Sequence, residues 1–257
     1  MIVHPLFGGQ DGERRIAPAG RAATLSAQIV AEVRDALNEK RLKPGDAIGS
    51  EKDIAKRLGV SRIVARDALR TLEALGVAEI KVGAGGGARV AHGNPRLFAD
   101  ALAVQLDLAG ATAQEIMDAQ RAIETLAAEL AAENATDADL ARLRRVLDEG
   151  AAAIDDTDRF TRACEQFHLA VAEASHNRVL VVQLMSLQHI SHPRRNVTLT
   201  RAVANRVLAA HRDLLAAIED RDPSAARHLM DDHVKMIRAR RVAERRDARP
   251  QPKIVKG

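Results

Sequence analysis

Three histidines stand where side chains could hold a metal ion. His168 shares a helical face with Phe160, Cys164 and Val171. His211 sits among Val207, Leu208, Leu214, Leu215 and Ile218, and His233 among Ala226, Leu229, Met230, Met236 and Ile237. Those spacings put each imidazole on the apolar stripe of a different helix. A helical bundle builds metal and ligand sites this way, from inward side chains on facing helices. Cys164 lies one turn before His168, and a Cys/His3 set suits a divalent metal such as zinc. Taken singly, each histidine also reads as a core residue satisfied by a hydrogen bond, and Cys164 as a small buried hydrophobe. Three histidines with one open position could instead activate water, which would make the chain a metal-dependent hydrolase. That alternative lacks an HExxH helix, and Glu165 is the only nearby residue for its general base.

A second constellation lies nearer the N-terminus. Arg62, Arg66 and Arg70 recur at four-residue steps along one helical face. Guanidinium forks so placed can read guanine in the major groove and clamp phosphates. Ser61 starts that helix, where backbone N–H groups favour an anion. Lys52, early in the preceding helix, can reach backbone phosphate. The glycine-rich run from Gly83 to Gly87 has little bulk, so its amides can approach DNA closely. By itself such a row also reads as a solvated face.

These residues need elements to hold them. Leu25 to Leu37 has helical apolar spacing. Ser50 and Asp53 predict a helix start, and Gly59 a helix stop near Leu58. Ser61 opens the next helix, which runs to about Leu75. Two short helices joined by a glycine turn give helix-turn-helix spacing. Strands are predicted at Ala78–Val82 and Ala88–Ala91, with the glycine run as a wing between them. Gly93-Asn94-Pro95 reads as a linker. Beyond it, helices are predicted at 96–108, 113–134, 137–153, 157–175, 177–191, 199–220 and 223–243. Thr112 with Glu115 and Thr136 with Asp139 look like capping boxes, and Asp222-Pro223 like a cap followed by a first-turn proline. Seven helices with short connections predict an antiparallel bundle.

Charge follows the same division. Residues 21–92 hold 13 Lys/Arg against 9 Asp/Glu, and residues 93–237 hold 16 against 22. The last 20 residues hold 8 against 2. A basic first part suits phosphate and an acidic middle does not. Aromatics are 2%, with no Trp or Tyr, which argues against single-strand binding by base stacking. One cysteine excludes an intramolecular disulfide and fits a reducing cytoplasm. No signal peptide or membrane-length apolar run is legible.

The stretch LKPGDAIGSEKDIAKRLGVSRIVARDALRTLEALG resembles the operator-binding domain of the GntR family of bacterial regulators, over about residues 25–91. Pro44-Gly45, Ser50-Glu51, Leu58 to Arg62, Arg66 to Leu69 and Gly76 carry the likeness. It implies DNA contact through Lys52, Ser61, Arg62, Arg66 and the wing near Gly83. Ile63 stands where a small polar residue is common in the family, and a thymine methyl contact suits it. Residues from about 95 to 237 resemble the FCD effector domain of the FadR-type branch. Arg121-Ala-Ile-Glu124, Phe167-His168, His176-Asn177, His211 with Ala217-Ile218, and Met230-Asp-Asp-His233 fall in its pattern. That resemblance implies a buried divalent metal on one Asp and three His, the histidines being His168, His211 and His233. The Asp position is Cys164 here. A carboxylate effector would bind beside the metal, with Arg121 as its two-pronged partner; the other reading of Arg121 is a surface ion pair with Glu124. His189 is a further candidate for the cavity.

The sequence therefore predicts a mainly α protein. A flexible arm (1–23) precedes a winged helix-turn-helix (24–92). An all-helical effector-binding and dimerisation domain (93–243) and a disordered basic tail (244–257) follow. Such a protein is a cytoplasmic, homodimeric, ligand-responsive regulator of double-stranded palindromic operator DNA. It is not an enzyme, and the resemblance implies repression.

Overall fold

A computed structural model describes residues 25–81, 86–191 and 199–247. The chain divides into two compact units between Phe98 and Ala99.

In the first unit, α1 (Leu25–Asn38) precedes a short strand β1 (Ala47–Gly49). Then come α2 (Glu51–Leu58), α3 (Arg62–Ala74) and two more strands, β2 (Ala78–Lys81) and β3 (Gly87–Val90). Ser50 caps α2 through a box with Asp53, in which each side chain meets the other's backbone N–H. Gly59 closes α2 at φ 66, a conformation that costs glycine least. Ser61 caps α3 by accepting from the Val64 N–H at 3.2 Å. The sheet order is β1-β3-β2, antiparallel throughout. The sequence reading lacked β1: three residues with two glycines nearby carry little alternation, and the strand's pairing slips between Ala47 and Gly49. Gly87 has φ 146, and a Cβ there would meet the backbone of Gly49 and Ser50 at 3.3 Å. Glycine thus lets β3 lie close against the end of β1. Ile29, Val33, Ile48, Ile54, Ala65, Leu69 and Leu72 fill the core beneath. Burying each larger side chain contributes roughly 1.5–3 kcal/mol.

In the second unit the helices are α4 (Pro95–Leu108, begun in the first unit), α5 (Ala113–Asn134), α6 (Asp137–Ala152) and α7 (Thr157–Ala174). They continue with α8 (Arg178–Ser191), α9 (Arg201–Glu219) and α10 (Pro223–Asp247). Both capping boxes form, Thr112 with Glu115 and Thr136 with Asp139. Asp222 accepts from the Ala225 N–H at 2.9 Å ahead of α10. Helix α10 continues to Asp247, into the stretch read as a disordered tail; residues 248–257 lie outside the described residues. α5 packs against α7, α8, α9 and α10. Its contact face is largely alanine: Ala127, Ala128, Ala131 and Ala132 are at most 1% exposed. Small side chains let neighbouring backbones come near, and the larger Phe160, Phe167, Leu214, Ile218 and Met230 fill what remains.

Candidate metal centre and nucleic-acid interface

The three histidines meet. His168 from α7, His211 from α9 and His233 from α10 are all buried, and one ring nitrogen of each lies within 4.8 Å of the other two. His211 Nε2 is 3.1 Å from His233 Nε2, and His233 Nε2 is 3.2 Å from His168 Nε2. Phe167 stacks on His211 with ring centroids 4.3 Å apart, which fixes that ring's plane.

Three Nε2 atoms facing one point pose a proton problem. Each neutral imidazole nitrogen carries either a proton or a lone pair, never both. His233 Nε2 therefore cannot donate to one neighbour while accepting from the other. A cation removes the conflict by taking all three lone pairs. The 3.1 and 3.2 Å spacings suit it, since nitrogens 2.0–2.1 Å from one ion lie about 3.0–3.4 Å apart. His211 and His233 are also held neutral, the form that ligates. Burial keeps His211 well below its ordinary pKa, and His168 and His233 add to the effect. Burial and then His168 bring His233 down to about 3. The residues present fit a divalent metal.

Cys164 is not brought into this group. It is half-buried and packs against the bundle core, as a small hydrophobe would. Burial, with the charge of Glu165 behind it, pushes its thiol up to about 12. The residue that sequence reasoning left out is Glu124. It is 2% exposed. Its Oε1 accepts from Gln120 Nε2 at 2.8 Å, and its Oε2 lies 3.3 Å from His168 Nδ1. Burial alone would raise its carboxyl, yet the contacts with His168 and Gln120 leave it below the ordinary value. The available signal was a charged residue on the alanine face of α5.

Arg121 does not pair with Glu124. Its Nη1 lies 3.4 Å from Asp231 on α10, two residues before His233. His189 meets Asp100 at 2.9 Å and lines an open cleft with Glu165, Gln166, Leu169, Met185 and Gln188, apart from the three histidines.

In the first unit, α3 presents Arg62, Ile63, Arg66 and Arg70 to solvent, and Ile63 is 76% exposed. An isoleucine so exposed at a helix start buries little in the head itself. Ser61 Oγ accepts within the cap, and Lys52 is exposed on α2. Arg66 is not free: Glu51 takes its fork at 2.9 and 3.0 Å. That hydrogen bond, with Arg66, Arg70 and Arg62 nearby, keeps the Glu51 carboxyl below its ordinary value. Gly83 lies outside the described residues.

A winged helix-turn-helix head followed by a helical bundle with a buried histidine centre defines a two-domain DNA-binding regulator. Comparison with known proteins agrees. Residues 25–87 match the bacterial regulatory proteins of the gntR family, and residues 115–236 match the FCD domain. The chain is 30% identical over 228 residues to the putative L-lactate dehydrogenase operon regulatory protein of Escherichia coli K12, covering 83% of this chain and 84% of that one. It is also 30% identical to the Uxu operon transcriptional regulator of the same organism, covering 83% and 85%. The solved structure of Streptococcus agalactiae GntR shares the fold with a TM-score of 0.66 at 21% identity, covering 84% of this chain and 99% of that one. The chain belongs to the GntR family, with an FCD effector domain. It is a ligand-responsive DNA-binding transcriptional regulator, and its relatives are regulators rather than enzymes, so the hydrolase reading has no support. Among the described residues no helix is long and apolar enough to cross a membrane.

Proposed function

We propose that this chain is a cytoplasmic repressor that binds a palindromic operator as a homodimer and senses a small carboxylate at a metal held by His168, His211 and His233. The convergence of the three Nε2 atoms carries the sensing half of this reading. A metal there supplies a Lewis-acidic anchor for a carboxylate oxygen. Cys164 stays out of the ligand set, because its thiol packs into the core. Arg121, on the helix that also carries Glu124, is the cation for the effector's second contact, and it must exchange Asp231 to make it. His189 is left out because it serves a different cleft. One relative is named for an L-lactate dehydrogenase operon. Lactate is a 2-hydroxycarboxylate, a class able to chelate a metal through carboxylate and hydroxyl oxygens.

On the DNA side, Arg62, Ile63 and Arg66 read bases in the major groove, while Lys52 and Ser61 meet phosphates. The wing at Gly83 adds a further contact. Two heads on a dimer match two half-sites. The test is operator binding by gel shift across a panel of 2-hydroxycarboxylates, using wild type and His211→Ala, beside elemental analysis of both. About one ion per chain and release of DNA by one of the acids, both lost in the variant, is the expected result. Metal-free wild type after reloading with zinc, manganese or nickel overturns the metal centre.

A further inference from the structure

We infer that Glu124 is a positioning residue for the histidine centre, whose carboxylate fixes the tautomer of His168 and balances the charge of the bound ion. This rests on the reading of the three histidines as metal ligands. A carboxylate 2% exposed is stable only when partnered. The two oxygens of Glu124 have separate tasks. Gln120, one turn earlier on α5, donates to Oε1 and fixes the plane of the group. Oε2 then faces His168 Nδ1 at 3.3 Å. The contact is not aligned as a hydrogen bond, but a carboxylate oxygen at that distance repels a lone pair and so favours the proton on Nδ1. A neutral imidazole with its proton on Nδ1 has a lone pair on Nε2. That Nε2 is the atom facing His233 Nε2 at 3.2 Å. The position of Glu124 on α5 thereby decides which His168 nitrogen is available to an ion.

The same residue answers the departure at position 164. With a thiol one turn before His168 and outside the group, the three imidazoles contribute no negative charge. Glu124 is a buried carboxylate in direct contact with one of them, and it lies outside the 4.8 Å group itself. It compensates the ion through His168 without taking a coordination position. Positions on the ion then remain for an anionic effector. Outer partners of this kind are worth 10–100-fold in metal affinity.

The test uses the full-length chain, zinc as the probe, and long-range proton–nitrogen NMR of the histidine rings. In metal-free wild type, His168 is expected to carry its proton on Nδ1, and in Glu124→Ala to shift toward Nε2. Zinc affinity is expected to fall 10–100-fold in Glu124→Ala. Glu124→Gln is near-isosteric; with Gln120 turned to accept from its NH2, its one accepting oxygen faces His168, so it should retain the tautomer without the charge and show an intermediate affinity. An unchanged tautomer with wild-type zinc affinity in Glu124→Ala overturns the inference and leaves the metal reading standing. Wild type that binds no zinc, yet shows the tautomer shift on Glu124→Ala, overturns the metal reading and leaves Glu124 as the residue that sets His168.

Discussion

Glu51 holds the guanidinium of Arg66 in a two-pronged ion pair, Nε to one oxygen at 2.9 Å and Nη2 to the other at 3.0 Å. The two side chains come from successive helices of the DNA-binding head. The fork that would grip a guanine or a phosphate is thus already gripping a carboxylate.

Glu51→Gln should therefore strengthen DNA binding several-fold and steepen its salt dependence by about one unit of slope, since one phosphate-competing charge is gone. Fluorescence anisotropy with operator DNA over a salt series reads both. Weaker binding would mean that Glu51 aims Arg66 rather than competes for it.

Combining Arg62→Ala with Arg66→Ala should abolish sequence-specific binding. Each bidentate base contact is worth about 1–3 kcal/mol, so the pair accounts for roughly 30-fold or more. A gel shift with operator and scrambled DNA decides it, and retained discrimination would remove these residues from base reading.

Cys164→Ser should leave metal content unchanged, and Cys164 should alkylate slowly in the native chain at pH 8, because its thiol is pushed up to about 12. Iodoacetamide labelling with mass spectrometry, beside elemental analysis, checks both halves. Metal lost with the thiol would make Cys164 a ligand after all.

Metal-free protein should lose stability as pH falls below about 6.5. In the unfolded chain His233 takes up a proton near that value, whereas folded it resists protonation down to about 3. The unfolded state therefore binds more protons across that window, and stability falls on acidification. Between pH 7.5 and 5 this one histidine accounts for on the order of 2 kcal/mol. Urea titrations of chelator-treated wild type and His233→Gln measure it, and equal pH slopes for the two would refute the assignment.

Much of this was legible in the chain because local rules and tertiary packing agree. Ser50, Thr112 and Thr136 mark helix starts by capping geometry, which needs only four residues to state itself. The three histidines declared themselves by apolar neighbours at helical spacing, and the structure brings those same rings together. What escaped depends on helices meeting. Glu124 looks like a surface acid three residues from Arg121 until α7 lays His168 against it. Arg121 takes Asp231, more than a hundred positions on, and spacing along one helix cannot show that. Arg66 looked available because Glu51 lies fifteen residues away on another helix.

His211 and His233 stand 22 residues apart, and His168 and His233 stand 65 apart. An ion shared by all three ties two loops of the chain at a single knot. Closing loops of that length costs the unfolded chain entropy, and a ligand bond that closes them returns the cost as fold stability. A metal held there would staple the sensor unit, much as a small secreted domain is stapled by disulfides. Scarcity of the ion would act on how long the regulator survives, apart from any effector.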